Sequence, residues 1–239
     1  MKVIVPSCYD YRQCWQPWLY FFHKHWPEPR PEPVLITEAT DSNGTGFFHT
    51  VLTEDAGFCE NLHRYLVSFN FDPFLYLILD DHWICGDVDL NHLHEAHTII
   101  EEGIPEIGAF RLHPSPGPSQ PLGNSQWFGE AFPGTKYRIS TAPTLWRRSY
   151  LLRLLDLLVA TGGRKSEQPT AWDFELLGSL FSTNLEEKIL ASHLHVIPFW
   201  NSAIVRGKWH PNVVENARLA GATINTSDRD FLPIPQQPT

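Results

Sequence analysis

Two adjacent acids and a histidine, Asp80, Asp81 and His82, directly follow the apolar run at residues 74–79. Six consecutive apolar residues predict a central strand that is covered on both faces. In open α/β sheets, ligands bind at the carboxyl ends of the strands. Neighbouring carboxylates repel each other and are costly to bury unless a cation or a solvated cleft receives them. The motif therefore favours a metal-nucleotide site, and the alternative is an acidic turn that faces water.

The histidines and cysteines do not form a zinc motif. The spacing of His92, His94 and His97 along a helix prevents them from sharing one face, so we do not expect zinc there. The chain has four cysteines without metal-ligand spacing, Cys8, Cys14, Cys59 and Cys85. His195 and His210 remain candidate additional metal ligands, although a lone histidine is more often a structural residue.

The composition indicates a globular protein of one domain. The chain has 239 residues, of which 42% are hydrophobic and 19% charged, and its formal net charge is −9. This acidic balance argues against a general polyanion binder, so we expect no nucleic-acid partner, although a local basic patch could hold a diphosphate.

The sequence shows no secretory signal and no apolar run near the roughly 20 residues that a membrane-spanning helix needs. With no disulfide framework either, we expect a reducing cytoplasmic environment and free thiols.

The first half of the chain predicts alternating strands and helices. Strands are expected at Lys2–Pro6 and Val34–Ile36, with an amphipathic helix at Trp15–Trp26 between them. This βαβ unit implies a parallel pair with a right-handed crossover. A helix at Phe58–Phe69 precedes the strand that ends at the acidic pair.

The second half continues the α/β pattern. Asp87 or Asp89 is the expected N-cap of a helix that ends at Glu102, and Thr170 that of a helix at residues 172–178. Strands are expected at 107–112, 137–141 and 195–199, a helix at 146–159 that Gly162-Gly163 stops, and an irregular Pro-rich loop at 113–121. We expect one α/β domain at residues 1–228 and a Pro-rich tail at 229–239.

The order of these motifs resembles that of small bacterial-type glycosyltransferases with the GT-A fold. The matching segments span residues 3–221 and are Ser7-Cys8 with Trp15, Leu79-Asp80-Asp81-His82, Trp146-Arg147-Arg148-Ser149-Tyr150-Leu151, Trp172-Asp173-Phe174-Glu175 and Arg206-Gly207-Lys208-Trp209. The resemblance implies a single GT-A domain, Rossmann-like, with a mostly parallel sheet flanked by helices.

The resemblance also implies a metal cofactor. GT-A enzymes use a DxD-type motif to hold Mn²⁺ or Mg²⁺ on the diphosphate of a nucleotide sugar, and the cation neutralises the leaving group. By this likeness Asp80 approaches the ribose or the metal, and Asp81 the metal. His82 stands where the motif has an acid, and an imidazole suits Mn²⁺ better than Mg²⁺.

The likeness assigns the nucleotide site to residues from several segments. Glu38 accepts a hydrogen bond from the base, and Ser7 and Cys8 line the pocket. Arg64 reaches the pocket from its helix, unless it is a plain surface residue. Arg206 and Lys208 partner the diphosphate from a C-terminal loop, with solubilisation of an edge as the alternative.

Direct displacement at a sugar needs a carboxylate that takes the proton of the acceptor hydroxyl. The resemblance gives this role to Asp173 or Glu175, which point to different faces of a helix, so only one faces the cleft. We prefer Asp173, and the alternative is that both acids cap the helix start. A candidate base, together with the likeness, favours an inverting reaction.

The expected function is therefore transfer of a sugar from a UDP- or GDP-sugar to a saccharide or lipid-linked acceptor. The resemblance suggests polysaccharide biosynthesis, and the expected location is the cytoplasm or, for a peripheral protein, the inner face of the membrane. One alternative is a nucleotidyltransferase, although Ser7-Cys8-Tyr9-Asp10 lacks the expected glycines. Another is a non-catalytic saccharide-binding or scaffold protein that kept the fold.

Overall fold

The computed structural model describes residues 1–54, 56–69, 72–102, 106–123, 125–162 and 169–233. All four cysteines are unpaired thiols. Within the described ranges, no helix has both the length and the apolar character that a membrane span requires.

The predicted βαβ unit opens the chain. Strand β1 is Lys2–Pro6, helix α1 is Trp15–His25 and strand β2 is Glu32–Thr37, with β1 and β2 parallel. A strand that the sequence did not indicate, β3 at His49–Leu52, extends the sheet parallel to β2. None of its residues is buried, which explains why it lacks an apolar run.

The acidic pair follows the centre of the sheet. Helix α2 is Phe58–Ser68, and β4 at Phe74–Leu77 lies beside β1 with all four side chains buried. Strand β5 is Trp83–Ile84 and helix α3 is Leu90–Glu102. Of the two expected caps, Asp89 is the one engaged, because its carboxylate accepts hydrogen bonds from the backbone N–H groups of Asn91 and His92.

The second half adds strands from both directions and three helices. The strands are β6 at Ile107–Arg111, β7 at Gln120–Pro121, β8 at Phe128–Ala131, β9 at Thr144–Arg147, β10 at Lys188–Ser192, β11 at Phe199–Trp200, β12 at Ile204–Val205 and β13 at Lys208–Trp209. The helices are α4 at Arg148–Val159, α5 at Ala171–Phe181 and α6 at Pro211–Leu219.

The main sheet has nine strands in the order β3-β2-β1-β4-β9-β6-β10-β8-β7. Strands β8 and β9 are antiparallel to both of their neighbours, so the other seven strands share one direction. Helices α1, α3 and α6 pack on one face, and α2, α4 and α5 on the other. The predicted class, α/β with a mostly parallel sheet between helices, is confirmed.

Three sequence predictions of secondary structure are wrong. Residues 137–141 form turns, and the strand in this part of the chain is β9, so Trp146 lies in the sheet instead of starting a helix. Residues 195–197 are irregular. The strand in this part of the chain is β10, which lies earlier and ends at Ser192. The apolar character of residues 144–159 does not distinguish the strand from the helix that follows it directly.

Two predicted segments, the helix stop at Gly162-Gly163 and the C-terminal tail, extend beyond the residues that the structure describes. Gly163 and residues 234–239 lie outside the described ranges. The described start of the expected tail pairs with β13: the backbone N–H of Trp209 donates to Asp230, and that of Leu232 donates to Trp209.

Candidate active site

The carboxyl ends of β1, β2, β4 and β6 bring together polar residues that are far apart in the sequence. Ser7 follows β1, Glu38 follows β2, and Asp80 to His82 follow β4. The side chains of Asp80, Asp81 and His82 are buried, with exposed fractions of 4%, 6% and 4%. The acids therefore do not form a solvent-facing turn.

A chain of hydrogen bonds fixes Asp80. The indole Nε1 of Trp15 donates to Ser7 Oγ at 2.7 Å, and Ser7 Oγ donates to the Asp80 carboxylate. Trp83 Nε1 donates to the backbone carbonyl of Asp80 at 3.1 Å. Burial, followed by the charge of Asp81, raises the pKa of Asp80 well above its usual range.

Asp81 and His82 lie under the segment that leads into β12. The backbone N–H of Ala203 donates to the Asp81 carbonyl at 2.8 Å, and the N–H of Ile204 bonds the Asp81 carboxylate. Burial raises the pKa of Asp81 to about 7, and the charge of Glu175 adds to the rise. His82 Nε2 lies 3.9 Å from Asp81 Oδ1, and burial lowers the pKa of His82 to about 4.

The two acids of α5 have different surroundings. Asp173 completes a capping box: its carboxylate accepts from the backbone N–H and the hydroxyl of Thr170, at 2.9 and 2.8 Å. Glu175 instead points toward the turn before β9, where its Oε1 accepts from the Thr141 N–H at 2.8 Å, Thr141 Oγ1 at 2.9 Å and Ser140 Oγ at 3.2 Å.

This geometry distinguishes the two acids, of which the sequence analysis preferred Asp173. The carboxylate of Asp173 serves the helix start, which was the alternative interpretation of these acids. Glu175 is the acid whose charge acts on Asp81. Residues two apart on a helix face different directions, and α5 directs Glu175, not Asp173, toward the turn at 140–141.

The loop after β1 carries a second polar cluster. Glu38 Oε1 accepts the backbone N–H of Tyr9 at 2.8 Å, and Asp41 accepts the Tyr9 hydroxyl at 3.1 Å. Arg12 lies over the Tyr9 ring, 4.7 Å from its centroid. Cys8 is an exposed residue, and desolvation of its thiol within the loop, followed by the charges of Asp80 and Glu38, raises its pKa, so this thiol stays protonated at neutral pH.

The basic candidates lie at the surface. Arg206 and Gly207, with φ of 52° and 73°, form the tight turn of the β12–β13 hairpin, and the Arg206 and Lys208 side chains are exposed. Both belong to the hairpin that packs on Asp81. Arg64 pairs instead with Glu60 at 2.6 Å and Glu54 at 3.1 Å on the exposed side of α2, as in the surface alternative.

The remaining histidine candidates, His195 and His210, make no described side-chain contact with Asp80 or Asp81. His195 is exposed, with its ring centroid 6.4 Å from that of Phe199. The backbone N–H of His210 donates to Ala203 and closes the hairpin.

Asp81 and His82 could hold part of a divalent cation site. Within the described ranges, no three His, Cys, Asp or Glu side chains gather as a complete metal site. Mg²⁺ is commonly held by one or two carboxylates together with substrate phosphates and water, so a complete protein cage is not required. The buried carboxylate of Asp81 and the imidazole Nε2 next to it fit such a partial site.

Sequence reasoning missed two buried residues at the end of β6, Arg111 and His113. Arg111 has an exposed fraction of 0%, and burial lowers the pKa of His113 well below its usual range, with the charge of Arg111 as a further cause. A signal was present, because an arginine within the apolar run Ile-Gly-Ala-Phe-Arg-Leu interrupts a strand that is otherwise suited to burial.

Comparison with known proteins identifies the fold. No protein-family model and no curated protein matches the chain. S. aureus TarS residues 1–349 in complex with UDP matches at 13% identity over 95% of this chain and 68% of that one, with a TM-score of 0.52. The UDP-GlcNAc complex matches at 15% identity over 94% and 62%, with a TM-score of 0.51.

A longer TarS structure matches at 15% identity and a TM-score of 0.50 over 87% of this chain, which spans only 37% of that protein. Identities of this size show the fold alone. The chain therefore has a single-domain α/β fold of the GT-A-like kind, similar to the part of S. aureus TarS that it covers.

Proposed function

We propose that this protein is a glycosyltransferase that moves a sugar from a nucleoside-diphosphate sugar to an acceptor hydroxyl. Two observations carry the proposal: Asp81 and His82 lie 3.9 Å apart at the end of β4, and the charge of Glu175 of α5 acts on Asp81. A cation-binding acid next to a second carboxylate meets the two needs of sugar transfer, a neutralised leaving group and a base.

The nucleotide would bind over the carboxyl ends of β1 and β2. Tyr9 and Arg12 belong to the loop after β1, and Glu38 and Asp41, which follow β2, bind this loop through Tyr9. The fold similarity to TarS structures that hold UDP and UDP-GlcNAc supports a uridine donor, with GDP-sugars as the alternative.

Asp81 and His82 would hold Mn²⁺ or Mg²⁺ together with the diphosphate. Asp80, whose carboxylate accepts a hydrogen bond from Ser7, would orient the bound diphosphate. When bound, the cation supplies charge neutralisation to the departing diphosphate. Arg206 and Lys208, on the hairpin that packs on Asp81, are placed to add positive charge from the solvent side.

Glu175 would be the base. All three described hydrogen bonds to its carboxylate go to Oε1, which fixes the group and leaves Oε2 for the acceptor hydroxyl. A base that takes the proton as the acceptor attacks supports direct displacement, and hence inversion. A saccharide or lipid-linked acceptor and a cytoplasmic location remain predictions from the sequence.

The test uses a panel of UDP- and GDP-sugars, with release of the nucleotide measured in the presence of Mn²⁺. Glu175→Gln should lower kcat by roughly 100-fold or more, because a general base contributes about that factor. Asp173→Asn is the matched control on the same helix and should keep kcat.

Equal losses in the two variants would contradict the role of Glu175. Absence of turnover by the wild-type protein for every donor, with tight binding of saccharide alone, would favour the non-catalytic alternative. Formation of a nucleotide sugar from a nucleoside triphosphate and a sugar phosphate would favour the nucleotidyltransferase.

A further inference from the structure

A guanidinium without a hydrogen-bond acceptor is buried next to the candidate active site. Arg111 ends β6, and its Nε, Nη1 and Nη2 have no hydrogen-bond partner among the described residues. Burying a charge that is not paired costs free energy. An arginine kept in this state therefore indicates a task that an apolar side chain cannot perform.

The position of Arg111 in the strand directs it toward α5. Side chains alternate along a strand, and Ala109 packs in the core on the side of α2, α4 and α5, whereas Phe110 packs in the opposite core. Arg111 therefore shares the face of Ala109, the face that Glu175 approaches from α5. The attraction of Glu175 partly offsets the effect of burial, which lowers the pKa of Arg111 to about 10, so the side chain stays charged at neutral pH.

Arg111 and Glu175 approach the same segment from two sides, because Arg111 pairs with Thr144 of β9 and Glu175 accepts hydrogen bonds from Thr141, just before β9. His82 and His113 are neutral, because burial lowers the pKa of both. Ser140 and Thr141 contribute hydrogen bonds but no charge.

We propose that Arg111 is a positioning residue whose charge holds the Glu175 carboxylate in place from the strand side. This inference depends on the proposed function, in which Glu175 is the base. Because no hydrogen bond ties the guanidinium to the carboxylate, the charge itself is the active feature. A lysine at position 111 should therefore replace the arginine in large part, whereas a neutral side chain of similar length should not.

The experiment compares Arg111→Met and Arg111→Lys, each made in the wild-type protein and in Glu175→Gln, with the UDP-sugar that the donor panel identifies. Arg111→Met should lower kcat by roughly 10- to 100-fold, because a misplaced base loses about that factor. KM and the Kd for UDP should change by less than about twofold, and Arg111→Lys should keep kcat within about fivefold of wild type. In the Glu175→Gln protein, Arg111→Met should add less than about twofold.

An unchanged kcat in Arg111→Met, or a full additional loss in the Glu175→Gln protein, would overturn the role of Arg111. If Arg111→Met does not fold, the folded Arg111→Lys protein decides the matter, since a kcat as low as that of Glu175→Gln would also overturn it. A wild-type protein without turnover would overturn the proposed function itself, which separates the two failures.

Discussion

The surroundings of two buried arginines, Arg138 and Arg111, differ in how completely their donors are bonded. Arg138, near the end of α5, donates from Nε to the Ala131 carbonyl and from Nη1 to the carbonyl and hydroxyl of Ser182, each at 2.8 Å. Arg111 makes no such bond within the described ranges, and its charge interacts with that of Glu175. The comparison teaches that a buried arginine bonded to carbonyl and hydroxyl groups is structural, whereas one left without hydrogen bonds near an acid indicates a site.

The largest expected effect on stability comes from removing the hydrogen bonds of Arg138. Arg138→Met removes three hydrogen bonds from a charged donor and leaves buried acceptors unpaired, so the free energy of unfolding should fall by about 3 to 5 kcal/mol. Arg111→Met, which loses no described hydrogen bond and removes a buried charge, should leave the free energy of unfolding unchanged or raise it by about 1 to 4 kcal/mol.

Urea unfolding of both variants measures the difference. Equal destabilisation would show that hydrogen-bond saturation does not distinguish the two regions.

The next effect concerns the pH dependence of the acid cluster. Burial raises the pKa of Asp81 from 3.8 to about 7, so its contribution to stability is full below about pH 4 and is lost as the pH rises through about 7. Asp81→Asn cannot ionise. The unfolding free energy of wild type minus that of the variant should therefore fall between pH 4 and pH 8, by at most about 4 kcal/mol at about 1.4 kcal/mol per pH unit.

The measurement is urea unfolding across this pH range without divalent cations. A constant difference between the two proteins would contradict a buried carboxyl at position 81.

A smaller effect separates the two acids of α5. Asp173→Ala removes one half of the capping box and should lower the free energy of unfolding by about 1 kcal/mol, with kcat unchanged. Thermal unfolding and donor turnover on the same preparation check both statements. A loss of turnover without a loss of stability would return the base role to Asp173.

The smallest effect is expected on the exposed side of α2. Arg64→Ala removes surface ion pairs with Glu54 and Glu60, which should change the free energy of unfolding by less than about 1 kcal/mol and leave UDP affinity as it was. Calorimetric titration with UDP checks this expectation. A tenfold weaker affinity would place Arg64 in the nucleotide site.

Sequence patterns predicted the elements whose signal is local. The apolar run before Asp80, the three- and four-residue spacing in α1 and the Thr170 cap all correspond to structure. Features that depend on tertiary packing were not accessible. The choice between Asp173 and Glu175 depends on where the turn at 140–141 lies, and the exposed β3 is strand only because β2 pairs with it. No residue near Arg111 in the sequence indicates what its buried guanidinium would face.

The most direct test of the account is calorimetric titration of the protein with UDP, with and without Mn²⁺, for wild type and Asp81→Ala, with Asp173→Ala as the control. The account predicts that wild type and the control bind UDP more tightly with Mn²⁺ and that Asp81→Ala loses this gain, by roughly tenfold or more in Kd. Equal affinity of wild type and Asp81→Ala in Mn²⁺, or no binding of UDP or GDP by the wild type, would contradict it.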